Sequence, residues 1–446
     1  MFALRPLVLI AAVFLTGCAA GNGGRSATSP VAPATPTRAV LDNGVVLIAR
    51  EHRASDLVSL QLWLRVGGRD EMPAELGLSH YLEHMLFKGT PTRPPGSIDY
   101  LIEGLGGQSN AFTSYDFTHF DVMLPVEHVR TGLELLADIA VNASFPPEEI
   151  DRERKVVFEE MSLVEDDPEK YLLRQVYEQA YRPHPYGRPI LGTPELVRDL
   201  TRERLAAYYG KHYVAPNMVI VVVGALTTDE IRPLVDATFG RLPKATSGRP
   251  AVAGASWPTT RRTADVRRSE QQAYLGLAWR TAATDSEDVF AVDLLTYILG
   301  DSPSSRLNQI VRDRDRLVST IEAAYGAWAK GGLVTVTSRL DASNLDAAER
   351  SILEVIRRVR ADGVTEAERQ RAIVTAESSY AFDIETADGL AKSYGQAETT
   401  WELAKELRYL ARLRQVTAAE IVAAARKYFG DDNYTRVRFV PGEGAR

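Results

Sequence analysis

The chain has 446 residues, 45% of them hydrophobic, with 52 Lys plus Arg against 59 Asp plus Glu, a formal net charge of −7. That length calls for two or three compact units, each able to bury a core. A mildly acidic chain has nothing to draw it to a phosphate backbone, so nucleic acid is excluded as a partner.

Residues 1–17 carry one arginine, an apolar run from Leu7 to Leu15 and small residues leading to Cys18, the single cysteine of the chain. This reads as an export signal, too short to span a bilayer. Its ending, Leu15-Thr16-Gly17-Cys18, resembles a bacterial lipobox, which implies cleavage before Cys18 and lipid attachment to its sulfur. Ala19, where an aspartate would signal retention, implies the periplasmic face of the outer membrane. With one cysteine, no disulfide can form within a chain. Residues 18–38 are rich in Gly, Ser, Ala, Thr and Pro and read as a flexible tether.

Further on, VVLIAREH and LVSLQLWLRVGG read as buried strands, and Leu78 to Phe87 has helical spacing. Helices and strands then alternate up to NMVIVVVG at 217–224, a core strand. Residues 244–264, KATSGRPAVAGASWPTTRRTA, have linker composition and separate a first domain, 39–245, from a second, 262–446. The second half reads as a divergent copy of the first. EEIDRERKVVFEE (148–160) corresponds to TEAERQRAIVTAE (365–377). RLAAYYGKHYVAPNMVIVVVG and IVAAARKYFGDDNYTRVRFVPG both run from a helix through Asn into a strand and a Gly, at nearly the same displacement.

The chemistry concentrates in HYLEHMLFKGT, residues 80–90. On a helix successive residues turn by about 100°, so His80, Glu83 and His84 share one face. Two imidazoles one turn apart can hold one zinc ion, with Glu83 beside it as a base for the attacking water. A third protein ligand is needed, and a carboxylate suits a doubly charged ion. Glu160, in RERKVVFEEMS, is the candidate; Glu153 lies two turns before it on the same face and would orient a ligand. Glu159 points about 100° away and is the rival.

HYLEHMLFKGT followed by ERKVVFEE closely resembles the M16 zinc metallopeptidases, the inverzincin group. The length and layout are similar to bacterial members related to the mitochondrial processing peptidase. GGQSNAFTSYDFTHFD (106–121), HPYGRPILGTPE (184–195) and YVAPNMVIVVVG (213–224) match family blocks in order. The resemblance implies an α+β fold of two duplicated domains, each a mixed, mainly antiparallel sheet with packed helices. It implies His80, His84 and Glu160 as ligands of one Zn2+ per chain, Glu83 as general base and Glu153 as an auxiliary acid. It also implies that an extended peptide substrate adds as a strand along Asn110, Ala111 and Phe112.

The pattern breaks in the second half. AVDLLTYILG places Ala291, Leu294 and Leu295 where the first half has His80, Glu83 and His84, so no second metal set is expected. Many active relatives carry an arginine and, seven residues later, a tyrosine that grip the substrate; here Arg312 is followed at that spacing by Ser319. Half of the clamp is missing, which implies a sister subunit supplying the Arg/Tyr pair in a heterodimer, or else an active homodimer. The leading expectation is a zinc endopeptidase, and the rival is a non-catalytic assembly subunit of the same fold.

Overall fold

The computed structural model of the protein describes residues 35–246, 249–256, 258 and 260–442. The expected export signal, Cys18 and most of the expected tether lie outside the described residues.

Six strands form the first sheet: β1 (Thr37–Val40), β2 (Val46–Glu51), β3 (Leu57–Leu64), β4 (Gln108–Thr113), β5 (Thr118–Pro125) and β6 (Met218–Gly224). They lie in the order β1-β2-β6-β3-β5-β4, with β2 and β6 parallel and every other pair antiparallel. With this domain run α1 (Leu78–Leu86), α2 (Ser97–Gly104), α3 (Val129–Asn142), α4 (Pro147–Asp166), α5 (Pro168–Tyr181), α6 (Pro194–Arg198), α7 (Arg202–His212) and α8 (Thr228–Ala237).

The second sheet holds β7 (Arg262–Arg268), β8 (Ala273–Thr281), β9 (Thr320–Trp328), β10 (Gly331–Leu340) and β11 (Tyr434–Pro441), in the order β7-β11-β8-β10-β9. Its helices are α9 (Asp288–Gly300), α10 (Leu345–Asp362), α11 (Glu366–Asp383), α12 (Ala387–Thr400), α13 (Leu403–Glu406), α14 (Tyr409–Gln415) and α15 (Ala418–Tyr428). Strand for strand this repeats the first sheet without β1: β7 and β11 are again the parallel pair, and β8, β10 and β9 follow as β3, β5 and β4 do. The two segment pairs that looked alike in sequence are α4 with α11, and α7–β6 with α15–β11. The fold is therefore α+β with a duplicated domain.

Why β6 is central follows from its composition: seven residues with no polar side chain, all buried. A strand of that kind needs cover on both faces. Met218, Ile220 and Val222 join the core of the first domain; Val219, Val221 and Val223 point the other way, onto Leu390, Ala391 and Tyr394 of α12. β3 does likewise, sending Leu60, Leu62 and Leu64 inward and Trp63 toward α12. The exchange is reciprocal, because Leu172, Val176 and Tyr181 of α5 cover Tyr274, Ala278, Val437 and Phe439 of the second sheet. Each domain thus lends one helix to the other's sheet.

The contacts are close. A methyl group on Gly395 of α12 would lie 2.2 Å from the Trp63 ring, and one on Gly276 of β8 would lie 2.6 Å from Val176.

β1 begins at Thr37, so the chain is already paired with β2 over the last residues of the expected tether. Composition had no bearing there, since β1 gains its order from the edge of β2. Residues 243–246 and 249–256 have no regular structure, as linker composition implies, and β7 begins at Arg262. Arg249 in that connection still reaches back, donating to Asp70 at 3.1 Å and to the carbonyl of Asp116 at 2.7 Å. Asp116 in turn accepts the backbone N–H of Ala329 from the second domain at 2.8 Å. Among the described residues no helix is long and apolar enough to cross a membrane.

Candidate metal centre

α1 is amphipathic in the manner its sequence dictates. Leu78, Leu82, Met85 and Leu86 are buried in the core, which leaves His80, Glu83 and His84 on the remaining face. The helix starts from Gly77 at φ +92°, a residue with no side chain to cap the first free N–H groups. Glu71 does so instead: its buried carboxylate accepts from Gly77 N at 3.0 Å and Ser79 N at 2.8 Å. Ser79 Oγ also pairs with Tyr208 Oη at 2.9 Å, and the Tyr81 hydroxyl donates to the carbonyl of Ile150 at the start of α4. Both ends of the arrangement are thereby held.

α4 packs alongside with Ile150, Val157 and Met161 in the core, which turns Glu153 and Glu160 toward α1. Glu160 Oε2 lies 3.4 Å from His80 Nε2 and 3.5 Å from His84 Nε2. These three atoms are all within 4.8 Å of one another, and no other such group occurs among the described residues. Glu159 is exposed, so the choice that helical periodicity left open falls to Glu160.

Glu153 reaches a different atom. Its Oε2 lies 2.8 Å from His84 Nδ1, and its Oε1 lies 2.8 Å from Lys88 Nζ. With Glu153 ionised, the ring proton belongs on Nδ1 and the Nε2 lone pair is free to point at the cluster. The structure thus places the Glu153 carboxylate on the far nitrogen of His84, away from the three-atom cluster.

The electrostatics ask for a cation. Glu160 Oε2 is buried yet makes no hydrogen bond, despite two imidazole nitrogens about it. Burial, then the neighbouring His84, pushes the pKa of His80 down to about 4. Burial would lower His84 as well, but Glu153 and Glu160 outweigh it and lift it to about 9. Two imidazoles in contact, one pushed down by burial and the other held up by two carboxylates, surround a carboxylate oxygen that has no hydrogen bond, an arrangement that suits a divalent metal. Two imidazole nitrogens and one carboxylate oxygen are a donor set that suits zinc with a position left open. Glu160 keeps 36% of its side-chain surface exposed, so the cluster opens to solvent.

Glu83 lies against Thr113 at the end of β4. Burial raises its carboxyl above the ordinary range, against the opposing pull of Thr113 and His84. β4 pairs with β5 alone and forms the free edge of its sheet, with Asn110 and Phe112 exposed. Asn110 Oδ1 accepts the N–H of Ala111 at 2.9 Å.

In the second domain Ala291, Leu294 and Leu295 are buried in the core, as an apolar replacement of the metal set requires. Arg312 falls in a π-helical turn, 308–314, with its guanidinium paired to Asp313 at 2.7 Å. Ser319 Oγ donates to the carbonyl of Arg339, while the Tyr325 hydroxyl is buried and donates to Ala282 O. Sequence reading passed over Glu71, Lys88 and the contact of Thr113 with Glu83. Their partners come from other elements, and only the proximity of Lys88 to the motif hinted at a role.

The signature of Insulinase (Peptidase family M16) matches residues 46–194, and that of the Peptidase M16 inactive domain matches 199–374. An uncharacterized zinc protease of Mycobacterium tuberculosis is 30% identical over 90% of this chain and 92% of its own length. One from Bacillus subtilis is 28% identical over 89% and 96%. A solved protease structure from Helicobacter pylori superposes with a TM-score of 0.87 at 22% identity, covering 92% of this chain and all of that one. With both domain signatures in order along most of its length, the chain belongs to peptidase family M16.

Proposed function

We propose that this chain is a zinc-dependent endopeptidase that hydrolyses extended peptides or unfolded segments at the periplasmic face of the outer membrane, as the zinc-bearing subunit of a dimer. The observation that carries the reading is the convergence of His80 Nε2, His84 Nε2 and Glu160 Oε2, with Glu83 on the same helix face. His80, His84 and Glu160 would hold one zinc ion per chain, which would supply Lewis acidity toward a water and a carbonyl.

The rest falls to the chain. Glu83 takes the proton of the attacking water and returns it to the leaving amine; a carboxyl raised by its surroundings is better matched to both tasks. Glu153 keeps His84 in the required tautomer. The free edge of β4, at Asn110, Ala111 and Phe112, offers main-chain N–H and C=O groups to any extended peptide, so sequence preference falls to side-chain pockets. Arg312 has only Ser319 where relatives carry a tyrosine, which favours a partner subunit of the same family supplying an Arg/Tyr pair. The lipobox-like ending at Cys18 supports the anchor and the location.

The test uses the full chain purified from membranes in mild detergent. One zinc per chain and chelator-sensitive cleavage of a quenched unstructured peptide, alone or with the co-purifying subunit, are expected. Glu83→Gln is expected to keep the zinc and lose about 10²–10⁴-fold in turnover. A zinc-loaded chain that cleaves nothing, with its partner present, overturns the reading in favour of an assembly subunit.

A further inference from the structure

The turn that joins β4 to β5, residues 114–117, is gripped from three distant parts of the chain. At its centre Asp116 is fully buried. One of its carboxylate oxygens accepts from Arg69 at 2.6 Å and from Tyr186 at 2.7 Å; the other accepts the N–H of Ala329, in the turn between β9 and β10, at 2.8 Å. The Tyr186 oxygen accepts in turn from Lys330 N at 3.0 Å, so the second domain joins this network at two points. The main chain is fixed as closely. Gly68 N and Arg69 N donate to the carbonyls of Ser114 and Tyr115, each at 3.0 Å, and a methyl group on Gly67 would lie 2.3 Å from the Ser114 oxygen. The Tyr115 ring packs against Tyr177, Tyr186 and Trp328.

Both segments that the network holds lead into the metal centre. Just before the turn, Thr113 lies against Glu83, and Asn110 to Phe112 form the free edge of the sheet. Just after Arg69, Glu71 caps the start of α1. One carboxylate therefore ties the edge strand to the entry of the metal-bearing helix and fixes both against the second domain. Being fully buried, it touches no substrate and acts only through what it holds.

We propose that Asp116 is a positioning residue for peptide hydrolysis, setting the place of β4 against α1 so that a peptide added along β4 presents its scissile carbonyl to the metal centre. This rests on the peptidase reading of that centre. A peptide bonds to the main chain of β4 wherever the strand sits, so a displaced strand still binds it but carries the carbonyl off line. A misplacement of about 1 Å costs roughly 100-fold in rate. The signature is a fall in kcat at nearly constant KM.

The test compares the full-length wild type with Asp116→Asn, zinc-loaded and with any co-purifying subunit present, in cleavage of a quenched unstructured peptide and in hydrogen exchange of the β4 amides. Asparagine puts an N–H group where donors converge on an oxygen. The variant is expected to keep its zinc, to lose about 10–100-fold in kcat with KM within about twofold, and to exchange its β4 amides faster. Should it fail to fold, Tyr186→Phe keeps the ring, removes one donor to the carboxylate and the acceptor for Lys330 N, and is expected to lose about 3–10-fold in kcat at the same KM. A folded variant with a lower Tm but the wild-type kcat, a rise in KM alone, or unchanged β4 exchange overturns the proposal. A wild type that cleaves nothing overturns the peptidase reading instead; β4 exchange then decides whether Asp116 places the strand.

Discussion

Glu153 shows how much of the centre depends on a residue that never faces the open side of the cluster. Its carboxylate bridges His84 Nδ1 and Lys88 Nζ, so a neutral amide there keeps the shape and removes the charge that holds the imidazole proton on Nδ1. Glu153→Gln is expected to lower zinc affinity by about 10–100-fold in a competition titration with a chelating dye. Glu83→Gln is expected to leave that affinity nearly unchanged, which separates an orienting role from a proton-transfer role. At this scale the two histidines were legible because a spacing of four fixes their relative direction on any helix. Helical periodicity by itself left Glu160 and Glu159 both open; the family resemblance favoured Glu160, and the packing of α4 turns Glu160 toward α1 while Glu159 is exposed. Lys88 was not legible as the partner of Glu153, because that pairing joins α1 to α4.

Among elements, α1 depends on a cap from outside itself. With Gly77 at its start, two N–H groups rely on Glu71, and Glu71→Ala leaves both buried without an acceptor. A loss of about 1–3 kcal/mol is expected, read as a lower denaturant midpoint at unchanged slope. The start of α11 makes a contrasting case. Burial alone would raise Glu368, but Arg306 and the Thr365 capping box hold it down at about 2, below its ordinary 4.5. A depressed carboxylate stabilises the fold above its unfolded-state pKa, and that contribution is lost as pH falls through the folded value. The stability gap between wild type and Glu368→Gln is therefore expected to be full at pH 5 and to close between pH 4.5 and 2. β6 was readable from its letters because a run with no polar side chain has nowhere to go but a sheet interior. β4 was harder: Gly106-Gly107 before Asn110 fits a turn as well as a strand, and only pairing with β5 decides between them.

For the whole molecule, the duplication was visible in sequence while the helix exchange was not. Nothing in PEKYLLRQVYEQAY says that its apolar face will cover the other domain's sheet. Periodicity specifies that a helix has a buried side, and leaves open what buries it. The consequence is that neither half owns a complete core. Without α12, residues 35–246 would expose Val219, Val221, Val223 and Trp63 together, and without α5 residues 249–442 would expose Tyr274, Val437 and Phe439. Apolar faces of that extent are not tolerated by a free-standing domain. Expressed separately, each half is expected to aggregate or to unfold without a cooperative transition, whereas co-expression is expected to yield a soluble complex with one two-state transition. Arg38 and Arg65 of the first domain, both paired with Glu398 of α12, and the Asp116–Ala329 hydrogen bond would rejoin the halves in their native setting. A cooperative melt from the first half alone would show that α12 is an accessory cover. In that case the metal centre could be studied on residues 35–246 without the second domain.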